Sequence, residues 1–219
     1  MNTREFKNQM YDELAAVAKA IGNPHRLEMI ELLAQGAKTV EELAEQADMS
    51  IASASQHLQR LKNARLVVSR KQATYRRYEL RSPQVFAIAH AIRGYGFAEN
   101  GHIKNIMQHF YDDEAMPELL DSQTLLRRMS EKNIILLDVR PRSEYDAGHI
   151  RSARSVPESE LEQMLQELPN DREIVAYCRG PLCTMADDAV RLLRRRGYKA
   201  YKLDVGFPEW KMQQLPVSA

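Results

Sequence analysis

The stretch that decides the fold of the second half of the chain is Ile174-Val175-Ala176-Tyr177-Cys178-Arg179-Gly180-Pro181-Leu182-Cys183-Thr184. Its four apolar residues, 174–177, predict a short buried strand. A helical pattern follows over 184–196, and the loop between the two elements contains both cysteines of the chain. The stretch therefore predicts a strand, a cysteine-bearing loop and a helix.

Strands and helices alternate on both sides of this stretch. Helices are predicted at 119–129, 158–168, 184–196 and from Phe207 onward, and buried strands at 134–139, 174–177 and 200–203. Apolar strands that alternate with helices indicate a parallel sheet covered on both faces, which is an α/β domain. In such a sheet the working groups lie beyond the carboxyl ends of the strands, where Cys178 falls.

The position of Cys178 favours a reactive thiol. A loop between a strand and a helix can direct successive backbone N–H groups at one point, and the helix dipole adds about half a positive charge behind them. These donors, with Arg179 as a further charge, are expected to lower the pKa of the thiol. The alternative is that Cys178 is a buried and inert side chain.

Four motifs of this half resemble the single-domain rhodaneses, over about 118–216. They are Leu137-Asp138-Val139-Arg140-Pro141-Arg142-Ser143-Glu144-Tyr145, Gly148-His149-Ile150, Tyr177-Cys178-Arg179-Gly180 and Gly206-Phe207-Pro208-Glu209-Trp210. The resemblance implies a sulfurtransferase cycle in which Cys178 takes a sulfur atom from a donor, holds it as a persulfide and passes it to an acceptor. It also implies that Asp138 and Arg140, which form a structural ion pair as well, brace the catalytic loop. The residues of that loop are Cys178, Arg179, Gly180, Pro181, Leu182, Cys183 and Thr184.

Cys183 departs from the rhodanese pattern and is open to two interpretations. It stands at the fifth position after Cys178, where rhodaneses often carry a basic residue. One interpretation is a small buried side chain in the first turn of a helix. The other is a resolving thiol that attacks a persulfide or a sulfenate on Cys178. Thr184 stands where the related phosphatases and arsenate reductases need an arginine, which disfavours oxyanion ester chemistry.

The first half of the chain predicts helices followed by a hairpin. Thr39-Val40-Glu41-Glu42 is a capping box for the third helix, and Ser50 caps the fourth. The third and fourth helices together predict a helix-turn-helix. The runs 66–70 and 74–80 are rich in β-forming residues and predict a hairpin with a turn at Gln72-Ala73.

Two features of this half predict DNA binding. Residues 60–81 contain eight basic side chains and one acidic side chain, a local net charge of +7. The hairpin is therefore expected to form a basic wing whose cations contact phosphates, with Arg70, Lys71, Arg76 and Arg77. The fourth helix carries side chains of the kind that read base edges in the major groove, namely Ser53, Ser55, Gln56, His57, Gln59 and Arg60. By itself, the helix pattern also fits an ordinary solvated face.

The first half resembles the ArsR-type winged-helix repressors over about 8–97. The resemblance lies in Ile21-Gly22-Asn23-Pro24-His25-Arg26-Leu27, Val40-Glu41-Glu42-Leu43-Ala44, Ser53-Ala54-Ser55-Gln56-His57-Leu58-Gln59-Arg60-Leu61 and Leu66-Val67. It implies a homodimer that binds a double-stranded DNA operator and is released by a chemical signal. The third helix carries no cysteine, which excludes thiolate metal sensing in this domain. His102 and His109 are interpreted as solvated or hydrogen-bonded side chains, so we predict no metal and no cofactor.

Composition sets the remaining limits. The chain has 219 residues, 31 basic and 30 acidic side chains, and two cysteines. We predict a winged helix-turn-helix DNA-binding and dimerisation domain over 1–110, an acidic linker over 111–117 and a rhodanese-like domain over 118–219. The lack of a signal-peptide pattern, of a long apolar run and of a disulfide framework predicts a cytoplasmic protein with no membrane partner.

We interpret the chain as a dimeric transcriptional repressor whose rhodanese-like domain is the input module for a reactive sulfur species or an oxidant. Two alternatives stay open. One is a sulfurtransferase that uses thiosulfate or polysulfide and whose DNA-binding domain localises or autoregulates it; the other is a binding module without chemistry. A partner subunit is expected to cover the first helix and the apolar stripe of Ile103, Ile106, Met107 and Phe110.

Overall fold

The computed structural model describes residues 1–72, 74–111, 117–131, 134–165, 168–169 and 171–218. The chain divides into two compact units, Met1–Gly96 and Phe97–Ala219. Ala73 of the predicted wing turn and residues 112–116 of the predicted linker lie outside the described residues. The turn geometry and the linker boundaries therefore stay predictions.

The first unit is a winged helix-turn-helix. Its elements are α1 Thr3–Ile21, α2 Pro24–Ala34, α3 Val40–Gln46, α4 Ile51–Asn63, β1 Val67–Gln72, β2 Tyr75–Leu80 and α5 Pro83–Glu99. The side chains of Thr39 and Ser50 accept backbone hydrogen bonds at the starts of α3 and α4, as the sequence predicts. The strands β1 and β2 pair in antiparallel register and form the wing.

The second unit is an α/β domain. Its elements are α6 Gly101–Tyr111, β3 Leu119–Leu120, α7 Ser122–Ser130, β4 Ile134–Asp138, α8 Arg142–Asp146, β5 His149–Ile150, β6 Arg154–Ser155, α9 Leu161–Met164, β7 Glu173–Tyr177, α10 Met185–Arg195, β8 Ala200–Leu203, α11 Phe207–Met212 and β9 Val217–Ser218. Five strands form a parallel sheet in the order β3-β8-β7-β4-β6. The short strands β5 and β9 pair separately.

The parallel sheet is covered on both faces, as the alternation of strands and helices predicts. Successive residues of a strand point to opposite faces. Accordingly, Leu137 of β4 and Ala176 of β7 belong to one buried cluster, whereas Leu136 and Val175 belong to the other. This double coverage explains why the central strands β4 and β7 are mainly apolar.

Two of the helix predictions in this half are wrong in part of their range. Asp121 caps α7 through its side chain, and an N-cap residue is not helical, so Leu119-Leu120 extends beside β8 as a strand. In the described part of the predicted helix over 158–168, a 3-10 turn, Glu158–Glu160, is followed by the short helix α9, and residues 166 and 167 lie outside the described residues. The backbone of Glu160, with φ −103°, interrupts the helical repeat between them.

Candidate functional site

The helix α4 presents most of the predicted base-reading side chains at the surface. Ser55, Gln56, Gln59 and Arg60 are exposed, and Ser53 and His57 are half-buried. The opposite side of the helix packs into the core through Ala54, Leu58 and Leu61. The amide of Gln59 donates a hydrogen bond of 2.7 Å to Asn63 Oδ1. The core therefore fixes the orientation of α4 and leaves the polar face accessible.

The wing brings the four predicted cations together. Lys71 lies opposite Arg76, and Arg70 lies opposite Arg77, in the antiparallel register. Lys71 and Arg76 are exposed. Arg70 forms an ion pair of 2.6 Å with Glu79. Arg77 is half-buried and donates a hydrogen bond to the backbone oxygen of Ala37. Lys71 and Arg76 are thus the wing cations best placed to meet an anionic surface.

His57 of α4 packs against α2 rather than extending into solvent. Its ring centroid lies 5.4 Å from that of His25, and its Nδ1 atom is buried without a hydrogen-bond partner among the described residues. Burial lowers the pKa of His57, and the nearby charge of Arg26 lowers it further. The imidazole is therefore held neutral, so the side chain fixes the position of α4 on α2.

The cysteine loop follows β7 at the carboxyl end of the parallel sheet. Cys178 comes directly after the last strand residue, and the backbone N–H of Cys183 donates to Gly180 O at 3.1 Å, which closes a turn. Gly180 has φ +156°, a conformation that favours glycine. Gly180 and Pro181 are half-buried, whereas Leu182 and Thr184 are exposed. The loop ends at α10, whose N-cap is Thr184.

The start of helix α11 contacts the backbone of the cysteine loop. The backbone N–H of Phe207 donates to Cys178 O at 3.3 Å. A Cβ atom on Gly206 would lie 2.3 Å from the carbonyl oxygen of Arg179, so this position requires the close backbone approach that glycine allows. The two segments therefore position each other, although they are separated along the chain.

The two thiols of the loop are adjacent. Cys178 is buried, with 2% of its surface exposed, and Cys183 is half-buried. The thiol of Cys178 donates a hydrogen bond to the backbone oxygen of Cys183, at a sulfur–oxygen distance of 3.3 Å. The structure thus places both cysteines in one site.

The environment of the loop separates the acidities of the two thiols. The hydrogen bond from Cys178, the backbone N–H groups of Arg179 and Met185 and the charge of Arg179 lower the pKa of Cys183 to about 7. Burial raises the pKa of Cys178, and the Cys183 sulfur beside it raises that pKa further. Burial therefore favours the protonated form of the Cys178 thiol, whereas the groups around Cys183 favour its thiolate. This is the reverse of the expected lowering of the Cys178 pKa.

A buried polar cluster braces the start of the loop. Arg140 donates to Asp138 through Nε at 2.9 Å and through Nη2 at 2.6 Å, and both side chains are fully buried. The hydroxyl of Tyr177, which precedes Cys178, donates to Asp138 Oδ2 at 2.5 Å and accepts from the N–H of Ile150 at 3.1 Å. The guanidinium also donates to Gly148 O at 2.8 Å. Buried ionic groups need such complete pairing because water is excluded.

The side chain of Arg179 pairs with the buried carboxylate of Glu144. Its guanidinium donates to Glu144 from Nε at 3.0 Å and from Nη2 at 2.7 Å. Glu144 is 1% exposed in its side chain, and the contact is bidentate. The charge of Arg179 therefore serves first to compensate a buried carboxylate.

The helix α10 carries a second buried ion pair. Lys202 Nζ of β8 lies 2.7 Å from Asp187 Oδ2, and both side chains are almost completely buried. The hydroxyl of Tyr111, the last residue of α6, donates to the same carboxylate at 3.4 Å. Asp187 lies in the first turn of α10, directly after the loop. The cluster therefore connects α6 to the helix that closes the cysteine site.

Sequence reasoning missed Tyr177, Glu144, Asp187 and Gly206 as members of these clusters. Glu144 and Asp187 lie in motifs or helices where acidic residues are ordinarily exposed. The sequence does hint at the role of Gly206. A glycine that precedes a helix, but that no turn requires, often lies where two backbone segments approach closely. Tyr177 was included in an apolar strand, although its hydroxyl needs a partner when it is buried.

Metal binding and membrane crossing can be assessed for the described residues. No group of three or more His, Cys, Asp or Glu side chains among them is arranged to hold a metal ion. In the same part of the chain, no helix is both long enough and apolar enough to cross a membrane. His109 Nδ1 lies 2.8 Å from the backbone oxygen of Asn105 within α6.

Comparison with known proteins covers both units. The model of the bacterial regulatory protein, arsR family, matches residues 23–69, and the model of the rhodanese-like domain matches residues 121–213. A sulfurtransferase of Allochromatium vinosum is 29% identical over 102 residues, which are 46% of this chain and 94% of that protein. The solution structure of the homodimeric winged helix-turn-helix DNA-binding domain of Mb0332 from Mycobacterium bovis matches with a TM-score of 0.43 and 31% identity, over 47% of this chain and 93% of that one.

One relative matches almost the whole chain. The HTH-type transcriptional regulator Rv0324 of Mycobacterium tuberculosis is 39% identical over 215 residues, which are 96% of this chain and 92% of that protein. The match therefore includes both the winged unit and the α/β unit. The chain belongs to the ArsR-type winged helix-turn-helix transcriptional regulators that carry a C-terminal rhodanese-like domain.

Proposed function

We propose that the chain is a dimeric repressor that binds a double-stranded DNA operator and responds to reactive sulfur through Cys178. The main observation behind this proposal is that the candidate DNA-binding side chains and the two thiols lie on different units. The cations and base-reading side chains lie on the winged unit, and both thiols lie on the rhodanese-like unit. A chemical signal received at the loop then changes the affinity of α4 and the wing for DNA.

The accessible polar face of α4 and the exposed cations of the wing support DNA binding. A winged helix-turn-helix places its second helix in the major groove, where amide and hydroxyl groups read base edges. Lys71 and Arg76 extend from the wing toward solvent and are positioned to contact phosphates. The near-neutral total charge of +1 does not oppose this, because the basic residues are concentrated over 60–81.

Exposed apolar side chains support a homodimer. Phe6, Met10 and Leu14 share one face of α1, and each is about half exposed within a single chain. Ile106 and Phe110 of α6 are more than half exposed. Exposed apolar residues that recur on one helix face commonly form a protein–protein interface. In a two-fold symmetric dimer, the same face of a second copy of the chain would pack against them.

The buried connection between α10 and α6 supports a route for the signal. Backbone N–H groups of Met185 and Ala186, in the first turn of α10, bind the two sulfur atoms. Asp187 is the next residue and accepts the hydrogen bond from Tyr111. Added sulfur displaces the start of α10, and α6 continues along the chain from α5 of the winged unit. The chemistry of the loop is thereby linked to the DNA-binding unit.

The test measures operator affinity with and without a sulfur donor. An operator is first selected from a random duplex library with the full-length protein, and binding is followed by fluorescence anisotropy. We expect inorganic polysulfide to change the affinity of the wild type at least about tenfold, the coupling found in many regulators. Cys178→Ser is expected to bind the operator normally and to show no change with polysulfide. An unchanged response in Cys178→Ser would overturn the proposal.

The alternative function is that of a sulfurtransferase whose DNA-binding unit localises or autoregulates it. The braced loop favours this alternative, because its backbone N–H groups surround the two sulfur atoms and stabilise a negative charge there. Steady-state transfer of sulfur from thiosulfate to cyanide distinguishes the two functions. Many turnovers per minute by the full chain favour the enzyme, whereas a single rapid modification followed by slow turnover favours the sensor.

A further inference from the structure

Four basic side chains lie together at the junction of α2 and α4, and we call them the basic cluster. They are His25 and Arg26 in the first turn of α2, and His57 and Arg60 one turn apart on α4. The ring centroids of His25 and His57 are 5.4 Å apart. Burial lowers the pKa of Arg26, and the charge of Arg60 lowers it further, which is consistent with two neighbouring guanidinium groups.

Arg26 is a buried cation whose charge is not balanced by a carboxylate. The residue is 6% exposed, and its guanidinium donates to the backbone oxygens of Ala20 and Lys19 at the end of α1. Carbonyl oxygens carry only a partial negative charge. The Nη1 atom of Arg26 is buried and has no hydrogen-bond partner among the described residues, and the same holds for His57 Nδ1. Because buried charges are ordinarily paired, the basic cluster is suited to an anionic ligand.

The other two members of the basic cluster face solvent. His25 and Arg60 are both exposed. An imidazole presents an N–H donor whether it is neutral or charged, and a guanidinium presents a planar fork that fits two oxygens of a phosphate group. His25 lies at the N-terminal end of α2, where the helix dipole adds about half a positive charge. An anion that arrives from solvent therefore meets two accessible donors above the buried charge of Arg26.

Resting on the DNA binding of the proposed function, we propose that His25 and Arg60 together bind one phosphate group of the DNA backbone. Arg60 lies one turn after Gln56 on α4, and both side chains are exposed. An α-helix is about 10–12 Å across and the major groove is about 12 Å wide, so side chains that flank a base-reading residue meet the phosphates of the groove wall.

The phosphate contact gives the members of the basic cluster separate tasks. Arg60 binds the DNA backbone instead of a base edge, and His25 makes α2 part of the interface. The charge of Arg26 attracts the phosphate from below, and the ring of His57 packs against that of His25. A phosphate held by two helices cannot slide along α4 without losing a donor. The contact therefore fixes the register of α4 in the groove and carries no sequence information.

The test pairs each protein variant with the loss of a single phosphate charge. The selected operator is synthesised as a series of duplexes that each carry one methylphosphonate, in which a methyl group replaces a charged phosphate oxygen. Fluorescence anisotropy with the full-length protein gives the affinity of each duplex for the wild type, Arg60→Ala and His25→Ala. In such a double-mutant cycle, a loss that depends on both partners identifies the phosphate that a side chain contacts.

We expect one phosphate in each half-site whose neutralisation weakens wild-type binding at least about fivefold, since it removes charge-assisted hydrogen bonds. The same duplex is expected to weaken the binding of Arg60→Ala and of His25→Ala less than about twofold, because the contact is already impaired. Lys62→Ala is the matched control, since it removes an equal charge from an exposed position two residues further along α4, on another side of the helix. It is expected to show the full wild-type loss at that phosphate.

Equal losses in the wild type and Arg60→Ala at every phosphate would overturn the proposal, and so would coupling to Arg60 without coupling to His25. Operator binding is also measured in chloride and in inorganic phosphate at equal ionic strength. If inorganic phosphate changes the affinity of the wild type but not of Arg60→Ala, and no methylphosphonate couples, the basic cluster binds a free anion and the DNA contact is wrong.

The outcomes separate this inference from the proposed function. If one phosphate couples to His25 and Arg60 but polysulfide leaves operator affinity constant, the contact stands and the proposed response to sulfur fails. If polysulfide changes operator affinity as expected and no phosphate couples, the response stands and this inference is wrong. Circular dichroism establishes that each variant is folded, and both substituted side chains are at the surface.

Discussion

The hydroxyl of Tyr111 donates a hydrogen bond of 3.4 Å to Asp187, which joins the end of α6 to the first turn of α10. The same carboxylate forms a buried ion pair of 2.7 Å with Lys202. The contact is specific because the Asp187 side chain is fixed by Lys202 and cannot follow Tyr111 freely. If sulfur addition displaces α10, as we propose, this hydrogen bond is expected to change in strength.

The Tyr111 contact predicts that Tyr111→Phe uncouples the two units without preventing either activity. The substitution removes one partly buried hydrogen bond and keeps the ring, so the cost in unfolding free energy is expected to be about 1 kcal/mol. Operator affinity without polysulfide and the rate of cysteine modification are expected to match the wild type. The change in operator affinity caused by polysulfide is expected to fall at least about threefold.

A matched control for this prediction is Tyr198→Phe. The Tyr198 hydroxyl donates to Leu165 O at 2.6 Å within the same unit and forms no hydrogen bond with α6 among the described residues, so its loss leaves the Tyr111 contact in place. This variant is expected to lose a similar amount of stability and to keep the full response to polysulfide. A full response in Tyr111→Phe would show that the signal does not pass through Tyr111.

Tyr177 is predicted to position the cysteine loop. Tyr177→Phe leaves the buried N–H of Ile150 without its acceptor and removes one donor from Asp138. We expect a loss of about 1–3 kcal/mol in unfolding free energy, measured by urea denaturation. We also expect faster alkylation of Cys178, because this thiol is buried and the residue before it is no longer fixed. Equal alkylation rates in Tyr177→Phe and Tyr198→Phe would restrict Tyr177 to a structural role.

Much of the fold follows from local sequence patterns. The caps at Thr39 and Ser50, the antiparallel wing and the parallel sheet all depend on spacings of a few residues, which a single sequence displays directly. The location of Cys178 after a central strand follows from the same alternation. Leu119-Leu120 was misassigned because an apolar pair beside a helical pattern does not reveal that β8 needs a neighbour.

The site itself depends on contacts that no local pattern encodes. Arg179 was expected to support a thiolate at Cys178, but Glu144, which lies in a separate motif, holds its guanidinium. The acidity of the two thiols likewise depends on which sulfur is buried, and the backbone of Gly206, which is distant in sequence, approaches the backbone of Arg179 in the same loop. The sequence shows that Cys178, Arg179 and Cys183 share one loop. Contacts with distant segments then determine the charge pairing of Arg179 and the pKa values of the two thiols.

The pKa of about 7 for Cys183 predicts the pH dependence of its alkylation. The thiolate reacts and the thiol does not, so the alkylation rate of Cys183, followed by mass spectrometry, is expected to rise tenfold per pH unit below about pH 7 and to level off above it. Alkylation of Cys178 is expected to require a higher pH, since burial raises its pKa. A single common midpoint for alkylation of the two cysteines would contradict the difference between their pKa values.

Two variants of Cys178 test the cause of this low pKa. The hydrogen bond from Cys178 is the largest contribution that lowers the pKa of Cys183. Cys178→Ser keeps a donor at this position and is expected to keep the midpoint close to 7. Cys178→Ala removes the donor, so its midpoint is expected to move upward and its rate at pH 7 to fall. Equal midpoints in the two variants would assign the low pKa to the backbone N–H groups instead.

The exposed cations of the wing predict a change in the salt dependence of DNA binding. Lys71→Ala and Arg76→Ala are each expected to reduce the slope of log K against log salt by about 0.9 for every phosphate that the variant no longer neutralises. The effect is expected to be the same for all DNA sequences, since phosphates carry no base identity. Lys211→Ala, an equal charge change at an exposed position of the other unit, is the control. An unchanged slope in the Lys71→Ala, Arg76→Ala double variant would exclude the wing from the interface.

Gln56 is predicted to read a base rather than to bind the backbone of DNA. Its side chain is exposed on the polar face of α4, and glutamine pairs best with adenine in the major groove. Gln56→Ala is expected to reduce discrimination at one base pair of each half-site by about 1–3 kcal/mol and to leave the salt slope unchanged. Selection from a random duplex library measures this position by position, with Gln163→Ala in the other unit as the control. A uniform loss of affinity across all sequences, with a lower salt slope, would instead identify Gln56 as a phosphate contact.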